Sequence, residues 1–334
     1  MTEKTEEQRR AEWLEQRRQH ITSTDVPALM KLDDSYGSPM GIFLDKRGLA
    51  EHSAEVPEYL EWGNRLQVGI LKGYADRVGE AVDLADPFEL IEVPDFPLLA
   101  ASLDARWHEK DLRPVDAKNV GVFAPREWGE PLTDEIPPRY IVQLHVQMMA
   151  TGTQVADLAM LFGGQRMRIY RVVRDEEIAA SCREVAERFY HDHVLADLPP
   201  PVDASNEWSR FLNSRRQRTD EFVEATAEAV DWATRLRDAS EAKAEAEELE
   251  KEAQNHLKAI IGENAGIVGT FGRISFKRNR DSEKVDEKAV IDALAVKLCG
   301  VDPELAAFIE SVIKQHTTCK PGARPLRPTW HKEG

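Results

Sequence analysis

Two aspartates and one lysine stand at spacings that suit phosphodiester hydrolysis. Asp104 ends an apolar run, and twelve residues later Asp116 and Lys118 close the next run with Ala117 between them. Side chains two positions apart on a β-strand point to the same face, so a second strand end could bring Asp104 beside them. Carboxylates are the oxygen ligands that Mg²⁺ prefers, and an ammonium can position or deprotonate an attacking water. Because Asp-x-Lys is a common pattern, an ordinary surface strand pair is the competing interpretation.

The elements that must position these residues alternate between helix and strand through residues 1–198. Apolar periodicity predicts helices over residues 5–19, 58–79, 139–150 and 175–195. Short β-rich runs predict strands over residues 88–93, 97–103, 113–118, 157–162 and 167–173. This alternation predicts an α/β or α+β fold in which helices flank a mixed central sheet.

A proline-rich stretch over residues 198–205 predicts a domain boundary, dividing 1–198 from a C-terminal region over 205–334. In the second region we expect a long helix over residues 218–261. Its small and apolar residues recur at steps of three and four, typical of a coiled coil, and Lys243 and Glu250 interrupt the seam. The rest predicts a hairpin, two helices and a basic tail, over residues 267–279, 286–298, 303–315 and 320–330.

Composition limits the class of protein. The 60 acidic and 44 basic residues give a net charge of −16, which by itself does not favour a nucleic-acid partner. The three cysteines, Cys182, Cys299 and Cys319, lie far apart, as expected in a reducing cytosol and not in a disulfide framework. We find no signal-peptide pattern and no apolar run of membrane-spanning length, so we expect a cytoplasmic protein without a membrane partner.

Six motifs follow one another in a specific order. They are Trp13-x-x-x-Arg17, ITST (21–24), EWGNRLQ (61–67), ASLDA (101–105), DAK (116–118) and YIVQLHVQMMATG (140–152). In this order the chain resembles the YqaJ-type phage recombinases and lambda exonuclease, which belong to the PD-(D/E)xK nuclease superfamily. The resemblance implies a restriction-endonuclease-like core. It covers about half of the chain and says little about residues 205–334.

The resemblance also implies a metal centre that takes Mg²⁺ or Mn²⁺. Asp104 and Asp116 would be metal ligands, with the carbonyl of Ala117 as a third. Lys118 would be the catalytic lysine. Gln67 occupies the position of a helix glutamate that belongs to the same active site.

Two further groups of residues correspond to DNA-binding positions of the family. Arg17, Thr24 and Ser102 match positions that bind the terminal 5′-phosphate. Tyr140, Gln143 and Gln147 match a helix face that orders the active site and holds the DNA.

The chain departs from the family pattern at three places in the proposed centre. Asp116 replaces a glutamate, which shortens the ligand by one methylene. Leu103-Asp104-Ala105 replaces Pro-Asp-Gly, which leaves the turn after the ligand less constrained. Gln67 replaces the helix glutamate, so the side chain brings no negative charge to the metal. Either activity is reduced, or another acid substitutes, or this chain is a natural or engineered weak variant.

His20, His145, His191 and His193 are further possible ligands. Because no carboxylate or cysteine cluster adjoins them in the sequence, we favour structural or surface roles.

The function that follows is a metal-dependent deoxyribonuclease of a bacterial or phage-infected cell. The leading hypothesis is a recombination exonuclease that digests linear double-stranded DNA from its ends and passes the single strand to an annealing protein. A homo-oligomer is implied by the resemblance alone. The alternatives are a structure-specific endonuclease and a catalytically impaired DNA-binding or assembly protein, in which the coiled coil would be the working part.

Overall fold

The computed structural model describes residues 4–33, 35–50, 57–108, 112–121, 128–215 and 219–277, together with Phe308 and Ser311. The chain forms two compact units, Met1–Arg215 and Arg216–Gly334. Across these described ranges, no helix has the length and apolar character required to cross a bilayer.

The first unit contains helices and strands in alternation. Its helices are α1 (Glu6–Arg18), α2 (Val26–Leu29), α3 (Pro39–Lys46), α4 (Glu58–Val78), α5 (Pro138–Thr151), α6 (Glu176–Phe189), which continues into a π-helical segment (Tyr190–Leu195), and α7 (Asn206–Ser214). Its strands are β1 (Ile21–Thr22), β2 (Val82–Leu84), β3 (Ile91–Val93), β4 (Phe96–Ala101), β5 (Ala105–Trp107), β6 (Pro114–Val120), β7 (Val155–Phe162) and β8 (Arg166–Val173).

The mixed α/β architecture confirms the predicted fold class. One sheet has the strand order β2-β5-β6-β7-β8, in which β6 and β7 are parallel and the other neighbours are antiparallel. A smaller sheet has the order β1-β4-β3. The predicted helices of this unit agree with the structure to about two residues. Sequence patterning missed β1, β2 and β5, because two or three residues are too few to establish an alternation.

Helices α4 and α5 cover opposite faces of the larger sheet. On the α5 side, Leu144 and Met148 pack with Leu158 and other side chains of β7 and β8. On the α4 side, Leu71 packs against Val115 and the remaining buried side chains of that face. Successive residues of a strand alternate between these two faces, so Val115 and Asp116 of β6 point to different helices.

Both of these helices end at a glycine in the left-handed conformation. Gly79 follows α4 with φ 73°, and Gly152 follows α5 with φ 71°. A residue without a Cβ adopts this geometry at little cost, so these glycines stop the helices where the sequence predicts.

Helix α7 belongs to the first unit. It follows the proline-rich stretch 198–205, and its Trp208 is buried in a hydrophobic cluster with Phe189 and Val194. The indole Nε1 of Trp208 donates to the carbonyl of Pro201 at 3.2 Å. The proline-rich stretch is therefore packed against the first unit through α7.

The second unit contains α8 (Ala227–Ile261) and a hairpin of β9 (Gly266–Gly269) and β10 (Gly272–Ser275). The predicted helix starts later than residue 218, because the hydroxyl of Thr226 accepts the backbone N–H of Ala229 at 3.2 Å and caps α8. Phe222 and Ala225, which lie within the predicted range 218–261, therefore precede the helix. The helices predicted over 286–298 and 303–315, except for Phe308 and Ser311, and the tail over 320–330 lie outside the described residues.

Candidate active site

Strand β6 carries Asp116 and Lys118 on the sheet face that α5 covers. Asp116 lies opposite Leu158 of β7, and Lys118 lies opposite Met160. The parallel pairing on one side and the alternation of the strand hold both polar side chains on one face, as the Asp-x-Lys spacing predicts.

Two glutamines of α5 orient the carboxylate of Asp116. Nε2 of Gln143 donates to Oδ1 of Asp116 at 3.0 Å, and Nε2 of Gln147 donates to the same oxygen at 3.1 Å. The two glutamines lie one helical turn apart, which places both amides on one helix face. All three side chains are buried. The carboxylate is therefore held rigidly, and its other oxygen, Oδ2, is directed towards Lys118.

Asp104 lies between β4 and β5 and bonds to two other elements. Its Oδ2 accepts the backbone N–H of Ala117 at 2.8 Å, and its Oδ1 accepts Nε2 of Gln67 from α4 at 2.9 Å. Burial first, and then the negative charge of Asp116, raise the pKa of Asp104 to about 6, against the opposing effects of Lys118 and the Ala117 N–H. Two carboxylates thus meet where solvent does not screen their repulsion.

Lys118 is the charge that balances these carboxylates. Its Nζ lies 2.5 Å from Oδ2 of Asp116 and 5.5 Å from the ring centroid of Tyr140. Burial opposes protonation, but Asp116 and then Asp104 outweigh it and raise the pKa of Lys118 above its ordinary value. Lys118 is therefore an ammonium ion in this arrangement.

The donor set suits a hard divalent cation. Oε1 of Gln147 is buried without a hydrogen-bond partner among the residues that the structure describes, and the buried Oδ2 of Asp116 is contacted by Nζ of Lys118. N–H and C=O of one strand residue point to the same side, so the carbonyl of Ala117, like its N–H, is directed towards Asp104. Oxygen atoms of this kind are the ligands that Mg²⁺ and Mn²⁺ select. Among the described residues, no third Asp, Glu, His or Cys joins the two aspartates in a metal-binding group.

A second group of polar side chains surrounds Arg17 of α1. The guanidinium of Arg17 stacks on the ring of Trp13 at 4.8 Å and donates to the hydroxyls of Thr22 and Thr24 at 3.3 and 3.4 Å. Nε1 of Trp13 in turn donates to the hydroxyl of Ser102 at 3.4 Å. The structure thus brings Arg17, Thr24 and Ser102 together, and this group is termed the Arg17 pocket.

Tyr140 connects Lys118 to a residue that the sequence did not indicate. The hydroxyl of Tyr140 lies 3.2 Å from the hydroxyl of Tyr36 and accepts a hydrogen bond from Arg139 at 3.4 Å. Burial, followed by the hydrogen bond to Tyr140, raises the pKa of Tyr36 to about 12. Tyr36 is an isolated aromatic residue in a polar loop, so no sequence pattern identifies it.

His145 and His20 form hydrogen bonds to the backbone. Nδ1 of His145 contacts the carbonyl of Ile141 at 2.7 Å, and its Nε2 accepts the backbone N–H of Asp175 at 2.9 Å. This pair of contacts requires a neutral ring that donates from Nδ1, and burial lowers the pKa of His145. His20 contacts the carbonyl of Pro97 at 2.8 Å.

Comparison with known proteins agrees with the motif order. Residues 12–154 match the family model described as the YqaJ-like viral recombinase domain. The chain is 25% identical over 276 residues to the "Uncharacterized protein YqaJ" of Bacillus subtilis (strain 168), an alignment that covers 80% of this chain and 83% of that protein.

Two similar solved structures are described as exonucleases. An alkaline exonuclease (LHK-Exo) from Laribacter hongkongensis is 20% identical with a TM-score of 0.45, over 56% of this chain and 93% of that one. A phage related exonuclease from Haemophilus somnus 129PT is 13% identical with a TM-score of 0.42, over 53% of this chain and 96% of that one.

Proposed function

We propose that this chain, which carries a YqaJ-like viral recombinase domain over residues 12–154, is a metal-dependent exonuclease that digests linear duplex DNA from 5′-phosphorylated ends. The family match supports the coarser class, a nuclease of phage-type recombination. One observation carries the rest. Asp104, Asp116 and Lys118 converge in one cluster, beside the buried and unpaired Oε1 of Gln147.

Asp104 and Asp116 would hold Mg²⁺ or Mn²⁺, with the carbonyl of Ala117 as the third protein oxygen. When bound, the ion would stabilise the charge that develops on the phosphate and lower the pKa of a bound water. Nζ of Lys118 also contacts Oδ2 of Asp116. With Asp104 and Asp116 holding the ion, Lys118 would direct Nζ towards the phosphate and the attacking water.

Lys118 would act by orientation and charge. The two aspartates hold Lys118 in the protonated state, so Nζ would donate hydrogen bonds to the attacking water and to a non-bridging phosphate oxygen. Such preorganised donors in a poorly solvated site stabilise developing charge more than they would in water. Gln143 and Gln147 would keep Asp116 in its binding orientation and would act on DNA only through it.

End recognition would take place in the Arg17 pocket. A guanidinium with neighbouring hydroxyls matches a phosphate monoester, which accepts several charge-assisted hydrogen bonds. Ser102 and Asp104 are two residues apart, so their Cα atoms lie within about 7 Å of each other. A terminal 5′-phosphate in the pocket would therefore present a neighbouring phosphodiester to the two aspartates. A homo-oligomer and an annealing protein that accepts the product strand stay predictions from the resemblance.

The deciding experiment compares linear and circular duplex DNA of the same sequence, with and without Mg²⁺. Loss of the linear DNA alone, abolished by Lys118→Met, is the expected result, and that variant also excludes a contaminating nuclease. Nicking of the circle would favour the endonuclease. DNA binding without digestion of either substrate would favour the impaired binding protein.

A further inference from the structure

A buried ion pair lies beside the Arg17 pocket. Nζ of Lys46, from α3, contacts Oδ2 of Asp25 at 2.9 Å and Oδ2 of Asp45 at 3.4 Å. The side chain of Lys46 is fully buried, and that of Asp25 is 14% exposed. A buried lysine is rare, because removing an ammonium from water is costly unless several partners compensate it.

The same two residues contact the backbone that forms the pocket. Nζ of Lys46 donates to the carbonyl of Arg17 at 3.0 Å, and Oδ2 of Asp25 accepts the backbone N–H of Thr22 at 2.9 Å. These contacts join the end of α1, the turn after β1 and the end of α3. The ion pair therefore connects the segments that carry Arg17, Thr22 and Thr24. Ser102 lies on a different segment.

Asp25 is also the carboxylate that competes for Arg17. Burial alone would raise the pKa of Asp25, but Lys46 first and then Arg17 hold it below its ordinary value. Among the residues that the structure describes, the Arg17 guanidinium forms no ion pair within 4.0 Å and contacts only hydroxyls and the Trp13 ring. Arg17 therefore interacts electrostatically with Asp25 but does not form an ion pair with it.

We propose that Lys46 is a positioning residue for the 5′-phosphate: it neutralises Asp25 and so leaves Arg17 available to bind a phosphate dianion. The inference rests on the proposed end recognition. Without the ammonium, Asp25 would attract Arg17 and repel the incoming phosphate. With it, the pocket presents the positive charge of Arg17 to the DNA end.

The test measures kcat/KM on duplexes that differ only in a 5′-phosphate or a 5′-hydroxyl, and the ratio of the two is the readout. Lys46→Met should lower this ratio on the order of tenfold, the range of one charge-assisted contact, while the rate on the 5′-hydroxyl duplex changes little. The double variant Asp25→Asn/Lys46→Met should restore the ratio to within about threefold of wild type, because the carboxylate at position 25 that would attract Arg17 is removed together with its ammonium partner.

Two controls separate positioning from stability. Arg47→Met removes the cation that directly follows α3 and pairs with the exposed Asp197 at 2.9 Å, and it should leave the ratio unchanged. If Lys46→Met does not fold, the comparison of Asp25→Asn with Asp25→Asn/Lys46→Met decides. The inference requires that both variants show the same ratio of kcat/KM on the two duplexes, because position 25 no longer carries a carboxylate for Lys46 to neutralise.

The outcomes distinguish this inference from the function beneath it. Equal rates of wild type on both duplexes, or an unchanged preference in Arg17→Ala, would contradict the phosphate pocket itself. A preference that Arg17→Ala abolishes but Lys46→Met retains would overturn the role of Lys46 alone. So would a double variant whose ratio stays as low as that of Lys46→Met.

Discussion

Gln67 donates a hydrogen bond from Nε2 to Oδ1 of Asp104 at 2.9 Å, at the position where the resemblance expects a glutamate. The amide stabilises the charged form of a carboxylate that burial and Asp116 otherwise disfavour. A glutamate here would offer Asp104 no such donor and would add a third negative charge. The amide therefore adds no repulsion beside the two aspartates, and its cost would be a weaker hold on the cation.

Gln67→Glu is expected to tighten Mg²⁺ binding and to raise the rate of hydrolysis. One added charge at short range contributes about 1–4 kcal/mol, depending on how far solvent screens it. The same variant should melt at a lower temperature without Mg²⁺, because three carboxylates then repel one another. Rates and melting curves across a Mg²⁺ titration measure both effects. A rate that is unchanged or lower, with stability intact, would contradict the idea that Gln67 weakens the site.

Lys118→Ala is expected to lower the rate of hydrolysis by at least about a hundredfold and to leave binding of Mg²⁺ and DNA largely intact. The lysine would act on the water and the phosphate and not as a ligand. Asp104→Ala should lose metal binding and activity together. Calorimetric Mg²⁺ titration beside a nuclease assay makes the distinction, and cleavage by Lys118→Ala within a few fold of wild type would refute the site assignment.

Gln147→Leu is expected to reduce the rate by about 10- to 100-fold, the usual effect of losing a group that orients a metal ligand. The variant removes one of the two donors to Oδ1 of Asp116 and the unpaired Oε1. Gln143→Leu should have a similar effect through the same oxygen. The matched control is Met148→Leu, which keeps the volume of an adjacent buried side chain and touches no polar group. If DNA affinity falls while metal affinity and the rate at saturating DNA do not, the glutamines hold DNA directly.

His145 is expected to make the first unit less stable as the pH falls. Its folded pKa is lowered, so the unfolded chain binds more protons below its ordinary value near 6.5, and the stability contributed by the neutral ring is present above that pH and lost beneath it. Asp104 has the opposite dependence because its pKa is raised. The difference between wild type and His145→Gln in urea unfolding between pH 7.5 and about 5 isolates the histidine. A constant difference across that range would contradict the prediction.

The sequence by itself determined the features that depend on local periodicity. The Asp-x-Lys spacing predicted that Asp116 and Lys118 share a face, since a strand repeats every two residues. The glycine at position 79 predicted the end of α4, because its backbone accepts the left-handed conformation. The order of six motifs indicated the resemblance to the family before any contact was known, and residues 12–154 match its model.

Only the tertiary structure decided which distant groups meet. Gln67 and Asp104 are 37 positions apart, and their hydrogen bond depends on how α4 crosses the sheet. The same holds for Lys46 with Asp25 and for Tyr36 with Tyr140, which no spacing predicts. Periodicity states the direction of a side chain relative to its own helix or strand. Which residue a side chain contacts depends on how elements that are remote in sequence pack together, and packing is a property of the whole core.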